Sequence, residues 1–354
     1  MAQSVAVGPA TVLPDITGLN WRRPALLARN LALAFVTFAI VLLLLGRNPL
    51  VAYAAIVRGA LGSGYGLSEV AVKLIPFLLC ALATTIPARV GLVNVGADGQ
   101  MYMGAWLASY AALNLSQLSG WEIVPIMIVT GFAGGALWAG IAGLLRVRAG
   151  LNETIATLLL NYVASLIVDH FVHGPWREKS PLNWPYTAQF SNAARLPSFF
   201  GTRIHLGIVL AIVALAATLF ILKRTRWGFD VRVVGGNPEA ARRSGIPISR
   251  YLIVAMAIGG GLAGLAGMGE VSAIQGRLRS GLSNGYGYIG FLASWLAGHN
   301  PLWSVGSAFL LAVVYVGGDV LQVNVNVPAS AANVLTGLIL FFVLALQTRK
   351  AARA

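Results

Sequence analysis

The sequence predicts an all-α polytopic membrane protein with about ten transmembrane helices, and three observations support this. Of the 354 residues, 57% are hydrophobic and only 10% are charged, whereas ordinary soluble domains carry about 25% charged residues. Apolar runs long enough to enter a bilayer recur along the chain. Two stretches rich in glycine and polar residues, 91–108 and 281–297, interrupt these runs. A bundle that contains short interrupted helices is therefore expected.

The predicted organisation is one membrane domain, residues 27–347, between a polar leader, 1–26, and a basic tail, 348–354. Two long connections stand out: 172–204, expected to be a folded extracytoplasmic cap or a short interfacial helix, and 223–251, expected on the cytoplasmic face. The ten predicted spans are, in order, 27–46, 74–88, 95–113, 123–145, 154–171, 205–222, 252–268, 286–298, 302–321 and 329–347, with a glycine-rich connection at 47–73 after the first. The eighth span, 286–298, has fewer than the ~20 residues that cross an apolar core of ~30 Å.

The charge distribution predicts the topology. Ten spans place both termini on one side of the membrane. With that side in the cytoplasm, most of the 25 Lys and Arg residues fall in cytoplasmic segments, as the positive-inside rule requires. The formal net charge of +14 thus reflects topology and contact with the membrane surface, and nucleic-acid binding is not expected.

Within 91–108, the residues Asn94, Asp98 and Gln100 lie among apolar side chains and four glycines. A charge near the middle of a membrane helix costs roughly 3 kcal/mol. Such a segment stays in the bilayer only where protein covers it or where it lines a polar cavity. We interpret it as a broken helix along a solute pathway; a cytoplasmic loop followed by an ordinary helix is the alternative.

The second stretch, 281–297, has the same character as the first. Both begin with GL-x-N and end with WLA. In the predicted topology, the first stretch begins at the inner face of the membrane and the second at the outer face. Opposed short helices are typical of transporters built from inverted repeats. Spans 2–5 and 7–10 are therefore predicted to be related halves, and Asn284, Tyr286 and Tyr288 join the candidate pathway residues.

Span 5 carries a further polar candidate, Asn161, in its middle. An asparagine in a membrane helix more often makes an interhelical hydrogen bond, so both roles stay open for it. Asn152 is expected to cap the start of this span, with Glu153 in the first turn.

The basic connection contains a predicted short helix. In GGNPEAARRSG, Asn237, Pro238 and Glu239 are typical of a helix start, and Gly245 is typical of an end. A plain basic loop that anchors the topology is the alternative.

The sequence contains no phosphate-binding GxxxxGK[ST] motif, no metal-binding motif and no nucleophile motif, and its one cysteine, Cys80, excludes a disulfide framework. No cofactor or metal is expected. If transport is active, the energy comes from another chain or from an ion gradient. The two classes to distinguish are therefore a transporter subunit powered by a separate ATPase chain and, as the alternative, an ion-coupled secondary transporter or channel. No residues support a third class, an intramembrane enzyme.

Three stretches together resemble one family. GLVNVGADGQ (91–100), LNETIATLLLNYVA (151–164) and GGNPEAARRSGIPISRY (235–251) are similar to segments of bacterial ABC importer permeases in the branched-chain amino acid and ribose permease family. The resemblance covers about 70–347, and the first two stretches favour its nucleoside (simple sugar) branch.

This resemblance implies a permease in the bacterial inner membrane that works by alternating access with separate ATPase subunits, a second permease, expected to be a different chain, and an extracytoplasmic substrate-binding protein. Nucleosides, purine bases and simple sugars remain open as solutes. It also implies ATPase coupling by the cytoplasmic helix, through Gly236, Asn237, Pro238, Glu239, Ala240, Ala241, Arg242 and Gly245.

Overall fold

The computed structural model describes residues 22–179, 184–199, 201–325, 327–328 and 330–351, which form thirteen α-helices and no strand. The predicted leader, apart from residues 22–26, and tail residues 352–354 lie outside these ranges. The helices are α1 (Arg22–Leu44), α2 (Pro49–Leu61), α3 (Gly64–Ala88), α4 (Ala97–Asn114), α5 (Gly120–Ala149), α6 (Glu153–His173), α7 (Gly207–Arg224), α8 (Arg226–Gly236), α9 (Pro238–Arg243), α10 (Ile248–Gly269), α11 (Tyr286–Leu296), α12 (Pro301–Val325) and α13 (Ser330–Ala351).

The all-helical membrane fold is confirmed. Among the described residues, six helices are long and apolar enough to cross a bilayer: α3, α5, α6, α7, α10 with its continuation, and α12. The pair α1 and α2, bent by 117°, would make a seventh. The predicted number of ten spans is not confirmed by this count. Helix α4 is as long as α7 but not apolar enough, α11 has only 11 residues, and α13 has a shorter apolar part.

Helix α10 lies at the centre of the bundle and packs on α3, α4 and α5. Its contacts with α4 and α5 are made through glycines. A Cβ on Gly135 of α5 would overlap the carbonyl oxygen of Gly260, and one on Gly104 of α4 would overlap the backbone of Gly264. The small residues of α5, Gly131 and Gly135, therefore permit a close approach between the helices.

The contacts that α3 makes have counterparts in the contacts that α10 makes. Helix α3 packs on α11 just as α10 packs on α4, and α3 packs on α12 just as α10 packs on α5. In both cases one of the helices that follow a glycine-polar stretch, α4 or α11, lies against a long helix from the other part of the chain.

The prediction of a continuous connection at 47–73 is wrong. Helix α2 occupies Pro49–Leu61, and α3 begins at Gly64, ten residues before the predicted span 2. Local capping explains both starts, since Asn48 accepts a hydrogen bond from the Leu50 N–H and Ser63 accepts one from the Gly66 N–H. Gly66 serves the α2–α3 packing, because a Cβ there would overlap the Gly59 carbonyl, and a Cβ on Gly59 would overlap the Val320 side chain of α12.

Two other connections contain more helix than predicted. The 223–251 segment consists largely of α8 and α9, where only one short helix was expected. The segment after α10, between the predicted spans 7 and 8, begins with a π-helical turn at Glu270–Gln275, which we call the π segment. Helix α5 extends beyond both ends of the predicted span 4. A capping box of Ser119 and Glu122 sets its start, and Gly150, in the left-handed conformation, ends it after Ala149.

The predicted cap, 172–204, is folded in its described part, with one helical turn at Asn192–Ala194. It contacts the segment after α10: the Thr187 N–H donates to the Leu278 carbonyl at 2.9 Å, and the Ser272 hydroxyl donates to the Ala194 carbonyl at 2.6 Å. We call this end of the bundle the cap end and the end that carries α8 and α9 the α9 end.

His205, just before α7, predicts a pH dependence of stability. Its Nδ1 accepts a hydrogen bond from the Gly207 N–H at 3.1 Å, and burial, reinforced by the charge of Arg203, lowers the pKa of His205 to about 4. An unfolded histidine titrates near pH ~6.5. The stabilisation is therefore complete above about pH 6.5 and is lost as the pH falls toward the folded-state pKa.

Melting temperatures in detergent, measured from about pH 7.5 down to about pH 4.5, are expected to fall less steeply for His205→Gln, because glutamine keeps an acceptor that does not titrate in this range. Identical slopes for the variant and the parent protein would contradict this prediction.

Candidate functional site

The first glycine-polar stretch is an interrupted helix, as predicted. After Gly91, which has a φ of +82°, the chain runs without helix to Gly96 and then enters α4. The buried amides of Asn94 and Gln100 pair with each other: Asn94 Nδ2 donates to Gln100 Oε1 at 3.0 Å, and Gln100 Nε2 donates to Asn94 Oδ1 at 2.8 Å. In this conformation the pair braces the interruption, and Asn94 Nδ2 also donates to the Ala83 carbonyl of α3 at 3.2 Å.

Three polar residues of α6 hold the interrupted segment, and we call Glu153, Thr157 and Asn161 the α6 ladder. Their spacing of four residues places them on one helix face. They accept hydrogen bonds, in order, from the N–H groups of Val93 (3.2 Å), Val95 (3.3 Å) and Gly99 (2.8 Å). Side chains of α6 thus replace the backbone hydrogen bonds that the segment gives up when it leaves the helix, as membrane burial requires.

The interrupted helices α4 and α11 meet at Asp98. Its two carboxylate oxygens accept hydrogen bonds from the Gly287 N–H at 3.1 Å and from the Ser283 hydroxyl at 3.0 Å. Asp98 lies in the first turn of α4 and caps the start of α11, so one buried carboxylate faces the positive ends of two helix dipoles. A Cβ on Gly287 would overlap the backbone of Asp98, so glycine is what allows the helices to come this close.

Helix α6 completes this junction through Asn161. The side-chain Nδ2 of Asn161 donates to the Val95 carbonyl at 3.0 Å and to the Tyr288 hydroxyl at 3.1 Å. Asn161 is buried, whereas Tyr288 is 39% exposed. The junction therefore has a closed side, where the hydrogen bonds lie, and an open side marked by the Tyr288 ring.

The seven predicted pathway residues fall into three places. Asp98, Asn161 and Tyr288 meet at the junction, with the Asn94–Gln100 pair behind them. Asn284 is exposed in the turn before α11 and has a φ of +47°. Tyr286 is buried on the other side of the first turn of α11, where its hydroxyl accepts a hydrogen bond from Lys73.

Sequence reasoning missed Ser283, Thr157 and Lys73. A signal existed for Thr157, since Glu153, Thr157 and Asn161 are four residues apart in an otherwise apolar span. A signal also existed for Lys73, a charged residue next to the predicted span 2. The role of Ser283 depends on a partner 185 residues away and had no local signal.

The predicted short helix of the basic segment is confirmed as α9. Asn237 caps it by accepting a hydrogen bond from the Ala240 N–H at 3.0 Å, Pro238 occupies the first turn, and Gly245, with a φ of +75°, follows its end. Glu239 forms exposed ion pairs with Arg242 at 2.9 Å and Arg243 at 3.3 Å. Of the other predicted coupling residues, Gly236 ends α8 and Ala241 faces the protein interior.

Helix α9 lies against the segment that leads into the interruption. Pro238 lines a small crevice together with Val90, Leu92 and Arg146. Arg146 in turn forms an ion pair with Glu153 of the α6 ladder, with an N–O distance of 3.4 Å. Pro238 of α9 and the residues that lead into the interrupted segment border the same crevice, so a displacement of α9 would change the surroundings of that segment.

The α6 ladder gives a stability prediction. Asn161→Leu leaves the Gly99 N–H and the Val95 carbonyl without side-chain partners in a buried site, and each buried unsatisfied group costs about 1–3 kcal/mol. The melting temperature of the detergent-solubilised protein is expected to fall clearly. The control is Tyr162→Phe at the neighbouring position, where the side chain is 64% exposed and no effect is expected; equal melting temperatures for the two variants would contradict the prediction.

An all-helical membrane protein in which two interrupted helices meet end to end has the architecture of a transport permease. Comparison with known families agrees: a sequence model described as "Branched-chain amino acid transport system / permease component" matches residues 66–344. The chain belongs to this permease family.

Individual relatives cover most of the chain. A glucose ABC transporter permease protein of Haloferax volcanii is 33% identical over 86% of this chain and 83% of its own length. A nucleoside ABC transporter permease protein of Lactococcus lactis is 30% identical over 87% of each chain. A guanosine ABC transporter permease protein of Bacillus subtilis is 28% identical over 86% of this chain and 88% of its own.

Proposed function

We propose that this chain is the membrane subunit of an ATP-driven importer that moves nucleosides, or related purine bases or simple sugars, into the cytoplasm. The observation that carries the proposal is the junction at Asp98, where two interrupted helices meet inside a bundle of the permease family. The solute class rests on the relatives, which are named for nucleosides, guanosine and glucose.

In this proposal the solute passes the junction by alternating access. Asp98, Asn161, Tyr288 and Asn284 offer acceptors, donors and an aromatic ring to ribose hydroxyls and base edges. The remaining predicted residues, Asn94, Gln100 and Tyr286, reach the pathway when the segments that they brace in this conformation separate.

We further propose that the helices form ten membrane passages, with α3–α6 and α10–α13 as inverted halves. The exchanged packing of α3 on α11 and of α10 on α4 supports related halves. The proposed domain is 27–347, with both termini in the cytoplasm of a bacterial cell and the bundle in its inner membrane. The cap end then faces outward, where a substrate-binding protein delivers solute.

The energy is proposed to come from separate ATPase subunits that contact α9, with a second, different permease chain completing the pathway. Three features support the contact between α9 and separate ATPase subunits. The sequence has no phosphate-binding loop, the Glu239 side chain is exposed on a well-capped helix, and α9 lies against the segment that leads to the junction.

The test is isolation of the complex from its native membrane, followed by uptake measurements in proteoliposomes. Recovery of an ATPase and a second permease is expected, and deleting 235–247 should abolish it. Glu239→Ala should weaken ATPase recovery while leaving the chain folded, since exposed ion pairs contribute only about 0–1 kcal/mol. Uptake by the chain alone, driven by a proton or sodium gradient, would instead identify an ion-coupled secondary transporter.

A further inference from the structure

A second polar cluster lies on the cap-end side of α11, away from Asp98. We call Lys73, Glu270, Tyr286, Tyr315 and Asp319 the Lys73 cluster. Its members come from α3, the π segment, α11 and α12, so both proposed halves contribute to it. Tyr286 and Gly287 are neighbours in the first turn of α11, and the cluster and the junction therefore lie on different sides of the same helical turn.

The cluster is built around the Lys73 ammonium group. Its Nζ donates to the Tyr286 hydroxyl and lies over two aromatic rings, 4.7 Å from the centroid of Tyr286 and 5.5 Å from that of Tyr315. Phe77, Tyr286 and Tyr315 meet edge to face, with centroids 5.4–5.7 Å apart. Such packing fixes the orientation of both phenol groups.

Neither carboxylate of the cluster forms an ion pair with Lys73, and Glu270 has unused hydrogen-bonding capacity. Both interact electrostatically with Lys73, yet among the described residues no ion pair within 4.0 Å joins either one to it. Glu270 is only 7% exposed, and its side chain accepts one long bond, from Gln275 Nε2 at 3.4 Å. A buried carboxylate can accept several hydrogen bonds and is costly to leave without them.

The π segment also supports a functional site at this cluster. Single π-helical turns are frequent at functional sites, and here the turn carries Glu270, the buried member of the cluster. Asp319 is exposed, and Lys73 and Tyr315 are half-buried. The cluster therefore has an open side through which a ligand can reach it.

The chemistry of the cluster selects a neutral ligand. Lys73 already occupies the position over the aromatic rings that a cationic ligand would need. Two carboxylates repel a phosphate or another anion. What remains is a neutral molecule with several hydroxyl groups, which can donate to the carboxylates, accept from Lys73 and pack its carbon face on the rings.

We propose that the Lys73 cluster is a second solute-binding site at the cap-end side of the pathway, which recognises the ring hydroxyls of a ribonucleoside or hexose and discriminates against phosphorylated forms. This proposal rests on the function proposed above. Glu270 and Asp319 bind the sugar part of the solute in this proposal, and the junction at Asp98 contacts the rest of the solute molecule.

The test uses the reconstituted complex with guanosine and glucose as probes. Each is compared with an analogue, 2′,3′-dideoxyguanosine, which lacks both ribose ring hydroxyls, or 2-deoxyglucose, which lacks the hydroxyl at C2. For the transported probe, Glu270→Gln and Asp319→Asn are each expected to raise KM by about tenfold or more and to change it by less than about twofold for the analogue. The basal ATPase rate reports that each variant complex is assembled.

The matched control is Glu69→Gln, one helical turn before Lys73 on α3. Glu69 pairs with Arg203 at 3.0 Å, outside the cluster, so both probe and analogue should be transported as in the parent complex. Equal changes for probe and analogue in the Glu270 and Asp319 variants, or no change, would overturn the site and leave the importer standing. Failure of the unaltered complex to accumulate either probe would overturn the proposed function and the site with it.

Discussion

Asp98→Asn is expected to lower uptake by about tenfold or more while the chain still folds and assembles with its partners. The carboxylate of Asp98 accepts hydrogen bonds from the Gly287 N–H and the Ser283 hydroxyl and faces the starts of α4 and α11. Asparagine keeps one acceptor oxygen but loses the charge, and charge-assisted hydrogen bonds are roughly twice as strong as neutral ones. The volume of the side chain hardly changes, so the packing of the junction is preserved.

The measurement is the initial rate of solute uptake into proteoliposomes, beside the yield of intact complex. Ser283→Ala serves as the control, since it removes one of the two hydrogen bonds and keeps the charge; it should cost less than about threefold. Unchanged uptake in Asp98→Asn would remove Asp98 from the pathway and leave it as a structural cap of α11.

Gly135→Ala is expected to prevent accumulation of folded protein. The added Cβ would overlap the Gly260 carbonyl and lie 2.8 Å from the Gly264 Cα. Neither obstacle is the end of a flexible side chain, so α5 and α10 would have to move apart along their whole contact. Overpacking of this kind costs typically about 1–3 kcal/mol, and here it also separates the backbones that α4 contacts.

Gly140→Ala is the matched control, because it lies in the same helix and its Cβ would meet no atom within 4 Å. Alanine favours a helix interior over glycine by about 1 kcal/mol, so this variant should be as stable as the parent protein or more so. Membrane yield and melting temperature in detergent are the measurements. Similar yields of the two variants would contradict a tight contact between α5 and α10.

The features that could be predicted from the sequence are those with a local chemical signal. Polar residues and glycines at 91–108 predicted the interruption before α4. Asn152 and Asn237 predicted two helix starts, and the structure shows both side chains accepting hydrogen bonds from the next turn. In each case the physical cause lies within a few residues of the signal.

The partners of the site residues could not be predicted, because they depend on contacts between distant segments. Asp98 is separated from Gly287 by 189 residues, and nothing in its own sequence context identifies this partner. The continuous connection predicted at 47–73 failed for a different reason. Its glycines favoured a loop, whereas they allow two helices to pack closely.

The pairing of α1 with α13 bears on the biosynthesis of the protein. Helix α1 packs on α13, and Asn30 of α1 donates a hydrogen bond to the Phe342 carbonyl across 312 residues of sequence. Because α1 is synthesised before α13, it acquires this partner only after the intervening helices have been made. Until then the Asn30 amide lacks its acceptor, and a chain truncated before α13 would retain an unpaired polar group, which is costly in lipid.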